Sequence, residues 1–186
     1  MFPYSGSRLG MGDPRVEAHG SLGLQPNMEK SMTTNIESRL KDLNLSLPTP
    51  PAPVASYVPF VVSGNLVFIS GQVTLADGGL KYVGAVGKEL TLEDGQAAAR
   101  LCAVNVVAQL KAACGGNLDR VRRCVKLGVF VNAIAGFTQH PEVANGASDL
   151  IVQIFGDAGK HSRAAVGAGS LPRNVAVEVE AVFEIG

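Results

Sequence analysis

The spacing of apolar residues changes several times along this chain, and each change marks an element. Residues 1–31 show neither helical nor strand period and are rich in glycine, proline and serine, which predicts a disordered extension followed by a domain over 32–186. Thr34-Asn35-Ile36-Glu37 offers a capping box, and Ile36, Leu40 and Leu43 then share one helical face, so a short helix is expected. The run "LPTPPAPV" ends it and forms a stiff connector. "YVPFVV" and "NLVFISGQV", separated by "SGN", predict a hairpin. The second run puts Leu66 and Phe68 on one face and Val67 and Ile69 on the other, so both faces need cover. A further short strand or loop is expected around 81–86, after the turn "ADGG".

From residue 92 to about 114 the period is helical, with Thr91 and Asp94 as a capping box, "CGGN" as the stop and a buried stripe of Leu101, Val104, Val107 and Leu110. "VRRCVKLGVFVNA" alternates instead, with Val121, Val125, Leu127, Val129 and Val131 on one face of a strand. Pro141 and Glu142 open a second main helix carrying Leu150, Ile151 and Ile154. The last strands flank "GSLPRN"; Val175, Val177, Val179, Ala181 and Phe183 take one face of the final run and Glu178, Glu180 and Glu184 the other. The layout predicts an α+β fold: a mixed sheet with two main helices on one face, plus a short N-terminal helix. The uncovered face still carries apolar residues, which predicts a homo-oligomer.

Composition narrows the function. Sixteen basic and sixteen acidic residues balance, which argues against a general nucleic-acid surface. The three cysteines, Cys102, Cys114 and Cys124, are odd in number, and the first two stand ~18 Å apart along one predicted helix, at ~1.5 Å per residue, beyond disulfide reach. A reducing, cytoplasmic setting is expected. No run approaches 18 apolar residues, so no membrane span is predicted.

Most catalytic and cofactor signatures are missing. His19, His140 and His161 and the cysteines make no metal-ligand spacing, so neither metal nor cofactor is expected, and no phosphate-binding glycine loop or G-x-S-x-G elbow occurs. Cys102, among alanines, reads as a buried thiol. Arg163 stands out because it heads a small-residue strand with no acidic residue within five positions. Such a guanidinium is a bidentate receptor for a carboxylate, or else a loop-end arginine or half of an ion pair with Glu178 or Glu180. Glu178 either orients or deprotonates a water in a partly desolvated site or belongs to a solvated polar row.

The closing stretch "SRAAVGAGSLPRNVAVEVEAV" resembles the arginine, leucine-proline and glutamate signature of the RidA family, also called YjgF. "SYVPFVVSGNLVFISGQV" is similar to that family's opening hairpin, and "EVANGASDLIVQIFG" to its second helix; together the likeness spans roughly residues 35–185. The string "NGASDL…FG…G.H.R.AVG" resembles a subgroup of the family without an assigned substrate. The resemblance implies a chorismate-mutase-like fold, a homotrimer with sites between subunits, and hydrolysis of reactive enamines and imines such as 2-aminoacrylate to 2-oxo acids and ammonia, without a cofactor. It implies that Arg163 grips the substrate carboxylate, that Glu178 places or activates water, and that Tyr57, Ser70, Gly71 and Asn145 line the pocket. A main-chain group near Ala165 would touch the substrate, at a position where relatives often carry cysteine. A non-catalytic module that binds or senses 2-oxo acids is the alternative. An RNA-cleaving role sits poorly with balanced charge.

Overall fold

Short-range signals and long-range cover combine differently in each element of the chain, whose computed structural model describes residues 35–50 and 56–186. The expected disordered extension over 1–31, Thr34 and residues 51–55 of the proline run lie outside the described residues. Helix α1 spans Ile36–Asp42, and its cap is Asn35, whose side chain accepts from the Glu37 amide at 2.6 Å. It stops before the prolines: Asn44 turns left-handed at φ 53°. Leu40 is buried, and Arg39 donates to the Ile154 carbonyl at 3.1 Å, tying α1 to the helix that carries Ile154.

Strands β1 (Phe60–Ser63) and β2 (Leu66–Gln72) form the expected hairpin. Beyond it, β3 (Leu75–Ala76) and β4 (Gly79–Leu80) make a separate two-stranded ribbon, closed by Asp77 and Gly78, both at positive φ as a type I′ turn requires. The stretch 81–86 joins no sheet strand. Tyr82 and Gly84 take positive φ and break the extended backbone, leaving isolated bridges from Val83 to Val175 and from Val86 to Ala133.

Helix α2 (Leu92–Ala113) starts on the predicted capping box of Thr91 and Asp94. Its buried stripe is Ala98, Ala99, Cys102, Ala103, Val106, Val107 and Leu110, while Leu101 and Val104 sit only half-buried at its margin. The stripe is rotated because alanines allow close approach on two sides. One is the sheet, where the Cys102 thiol donates to the Val177 carbonyl at 3.3 Å. The other is α3 (His140–Phe155), where a Cβ on Gly146 would collide with the Gln96 carbonyl of α2. Leu150, Ile151 and Ile154 of α3 are fully buried, as their spacing predicts.

Strand β5 spans Val121–Asn132, β6 Ser162–Ala168 and β7 Val177–Ile185. The five-stranded sheet runs β1-β2-β7-β5-β6, antiparallel except for the β5/β6 pair that α3 bridges as a crossover. Register shifts at Val121/Arg123 and Cys124/Lys126 change which residues point inward, so Cys124 is buried and Val125 only partly so, contrary to simple alternation. Both main helices cover one face of this sheet, over Val67, Leu127, Val129, Val179 and Phe183. The other face is apolar and bare: Val61, Phe68 and Val166 are 53%, 45% and 47% exposed. Val67 is covered and Phe68 is not, so the demand for further cover falls on Phe68 rather than on Val67.

Candidate functional site between two faces of the sheet

Arg163 lies opposite Leu127, which is buried under the helices, so its side chain leaves edge strand β6 on the helix side. It runs against the first turns of α3, where Nη1 donates to Asn145 Oδ1 at 2.9 Å and to Ser148 Oγ at 3.0 Å, and Nη2 donates to the Pro141 carbonyl at 3.3 Å. Every acceptor is neutral, and among the described residues no carboxylate forms a salt bridge with Arg163. The ion pair with Glu178 or Glu180 left open by the sequence is therefore not made within the chain. A guanidinium has five N–H donors. Two are left over, Nε–H and one on Nη2, and are free to donate to an anion such as a carboxylate. Ala165 is two residues further along β6, on the same side, with its methyl against the core, so main-chain groups are what it offers a ligand.

Glu178 and Glu180 belong to the other face, opposite Phe130 and Gly128 of β5. Sheet glycines make room for both carboxylates: a Cβ on Gly71 would collide with Glu178 Oε1, and one on Gly128 would crowd the Glu180 side chain at 2.7 Å. Burial holds the Glu178 carboxyl above the usual glutamate range, and the nearby Glu180 carboxylate pushes it the same way. Glu180 lines a shallow groove of about 240 Å³ with Phe68, Lys126, Gly128 and Val182. Ser70 is spent on positioning, its hydroxyl donating to the Val58 carbonyl at 2.8 Å and its amide to the Pro59 carbonyl at 3.0 Å. That fastens the segment carrying Tyr57, which is 61% exposed. Tyr57 and Gly71 also border a cavity of about 460 Å³ with Pro48, Pro59, Val73 and Asn105.

Two clusters result. Arg163, Asn145 and Ala165 gather where β6 meets α3; Tyr57, Ser70, Gly71 and Glu178 gather around the second half of β2. Strand β5 stands between β6 and β7, and the two charged side chains leave opposite faces, so one chain does not bring Arg163 and Glu178 together. Sequence reasoning missed Ser148 and His161. Their signal was present in the string around "NGASDL" and "G.H.R", where the i, i+3 spacing of Asn145 and Ser148 on a helix puts both toward one neighbour.

The rest of the described chain offers little competing chemistry. Burial raises the thiols of Cys102 and Cys114 and pushes that of Cys124 up to about 12, so none is a ready nucleophile. Among the described residues no group of three or more His, Cys, Asp or Glu is arranged to hold a metal, and no helix is long and apolar enough to cross a membrane.

A five-stranded mixed sheet, backed on one face by two helices and ending in an arginine edge strand and a glutamate strand, defines a class of small α+β domains with a YjgF/chorismate-mutase-like fold. The chain belongs to the YjgF/RidA family: residues 37–185 match the family described as "YjgF/chorismate_mutase-like, putative endoribonuclease". It is 48% identical over 151 residues to Protein TCP17 of Trypanosoma cruzi, covering 81% of this chain and 94% of that protein. The crystal structure of Atu1372, a protein of unknown function from Agrobacterium tumefaciens, is 46% identical with a TM-score of 0.76, covering 81% of this chain and 92% of that one. RidA from an Antarctic Psychrobacter is 27% identical with a TM-score of 0.51, covering 74% of this chain and 94% of that one.

Proposed function

We propose that the protein hydrolyses reactive enamines and imines of the 2-aminoacrylate type to 2-oxo acids and ammonia, at sites completed by a second copy of the chain. The observation that carries this reading is the treatment of Arg163: three neutral oxygens fix the guanidinium, and its whole charge and two donors are left for an anion. Supply of Glu178 by a neighbouring protomer of a homotrimer meets two needs at once. It covers the apolar outer face bearing Phe68 and Val166, and it sets a carboxylate opposite an arginine that has none of its own.

In this reading an enamine first tautomerises to the imine, whose C2 carbon is electrophilic. Arg163 holds the substrate carboxylate with Asn145 beside it, and main-chain groups near Ala165 touch the ligand. Tyr57, Ser70 and Gly71 shape the opposite wall. Water adds to C2 while Glu178 takes one of its protons and the imine nitrogen gains one from solvent, giving a carbinolamine. Glu178 then passes its proton to the amine nitrogen, the hydroxyl proton goes to solvent, the C–N bond breaks, ammonia departs and C2 becomes a carbonyl. A carboxylate whose proton affinity is raised by burial is a better base for this step than an ordinary glutamate. Orientation supplies the rest, since the electrophile needs no covalent activation and no metal or organic cofactor enters the scheme. The balance of 16 basic and 16 acidic residues gives no general support for a ribonuclease reading.

The test generates imines in place with an amino-acid oxidase and follows ammonia release. The wild type is expected to accelerate it and Arg163→Ala to leave it at background. Background rates for the wild type across several amino acids would overturn the assignment. Saturable binding of 2-oxo acids by calorimetry, abolished by Arg163→Ala and unaccompanied by turnover, would favour a sensing role instead.

A further inference from the structure

Behind Arg163 lies a chain of hydrogen bonds whose directions follow from the neutral His161 ring. His161 Nδ1 stands 2.6 Å from the Gly159 carbonyl, and a carbonyl only accepts, so the ring proton sits on Nδ1. In the neutral ring Nε2 then carries a lone pair and accepts from the Ser148 hydroxyl at 3.0 Å. With its one proton committed to His161, Ser148 turns a lone pair toward Arg163, and Nη1 donates to it at 3.0 Å. The order runs from Arg163 to Ser148 to His161 to the backbone of the short 3-10 turn Gly156–Gly159.

We propose that Ser148 and His161 are positioning residues that set the rotation of the Arg163 guanidinium, and thereby aim its Nε–H and remaining Nη2–H at the substrate carboxylate; this rests on the carboxylate-binding role proposed for Arg163. Asn145 and the Pro141 carbonyl fix the guanidinium at two further points on α3. Ser148 differs in that its hydroxyl is itself hydrogen-bonded to a ring whose far nitrogen is tied to the main chain. The serine is thus a connector. Its proton points to His161 and a lone pair is taken by Arg163, which leaves it poorly placed as a nucleophile. Fixing the fork in advance removes a rotational cost at binding and selects planar, two-oxygen anions over single-point anions such as chloride.

Two readouts on the intact oligomer test this. Nitrogen-15 NMR of the His161 ring should show the Nδ1–H tautomer, and Ser148→Ala should move the Nε2 resonance. Calorimetry with 2-oxobutyrate should show binding weakened roughly tenfold in Ser148→Ala and in His161→Phe, in line with the loss of a hydrogen bond to a charged group. Ser148→Thr, which keeps the hydroxyl, should recover wild-type affinity to within a few-fold, and oligomer size and Tm should stay near wild type in all three. An Nε2–H tautomer, or a Ser148→Ala protein that binds 2-oxobutyrate as tightly as the wild type, would overturn the relay. Absence of 2-oxobutyrate binding in the wild type would instead strike the proposed function, while the tautomer and its response to Ser148→Ala still decide whether the relay exists.

Discussion

The β6/α3 corner and the outer face of β7 deal with charge in contrasting ways. At the corner, a cation is surrounded by acceptors without charge: an amide oxygen, a hydroxyl and a main-chain carbonyl. On the outer face, two carboxylates are set over glycines in a half-buried, largely apolar setting, and among the described residues neither forms a salt bridge. Neutral acceptors hold a guanidinium without cancelling it, whereas partial burial of Glu178 makes the ionised form expensive. Each region is incomplete in the sense that the other would remedy, and the sheet itself keeps them apart. In the function proposed above, a second copy would resolve the separation in a way that no side-chain rotation can.

Removing the surface that would join copies should have the largest effect. Phe68→Asp places a charge on the bare apolar face, and burying it unpaired costs several kcal/mol, so the oligomer should dissociate in sedimentation analysis and all turnover should go with it. Next in size, Glu178→Gln should lower kcat by about 10²–10⁴-fold while leaving 2-oxobutyrate binding in place. The wild-type rate should rise with pH on an acidic limb, because the base must be ionised to act.

Stability has the opposite slope. The folded state keeps the Glu178 proton to higher pH than the unfolded chain does, so stability falls as pH rises from the ordinary glutamate value through the raised one. Glu178→Gln should flatten that fall in thermal unfolding. Arg163→Ala should weaken 2-oxobutyrate by about 10–100-fold, and Arg163→Lys should recover only part of this because the fork is lost though the charge is kept. The smallest change, Gly71→Ala, should displace the Glu178 carboxylate and cut kcat by about tenfold, with the KM for substrate little altered, if general-base placement is what Gly71 secures.

Much of the fold was legible because local signals and tertiary cover agreed. The α2 capping box, the inward residues of α3 and the alternation of β7 from Val177 to Ile185 all follow from spacing. Misreadings arose where something beyond spacing decided. Two register shifts in β5 exchanged Val125 for Cys124, and positive φ at Tyr82 and Gly84 decided the stretch 81–86, left open between strand and loop, in favour of the loop. Alanine carries little directional signal, so the buried side of α2 was off by part of a turn. The candidate residues were legible as one set but not as two clusters. Nothing in the sequence says that Arg163 and Glu178 leave opposite faces, because that depends on β5 lying between β6 and β7. The Ser148–His161 pair escaped notice because its members are 13 residues apart and meet only across the α3–β6 connection.

Co-expression of Arg163→Ala and Glu178→Gln chains under different tags, with purification of oligomers that carry both, asks whether one site draws on two chains. If it does, each mixed trimer of two inactive chains restores one site in three, which takes its arginine from the Glu178→Gln chain and its glutamate from the Arg163→Ala chain. Deaminase activity should then return toward that fraction of the wild-type rate. Mixed oligomers as inactive as either parent, under conditions in which the wild type turns over, would place both residues' roles within a single chain and contradict the account.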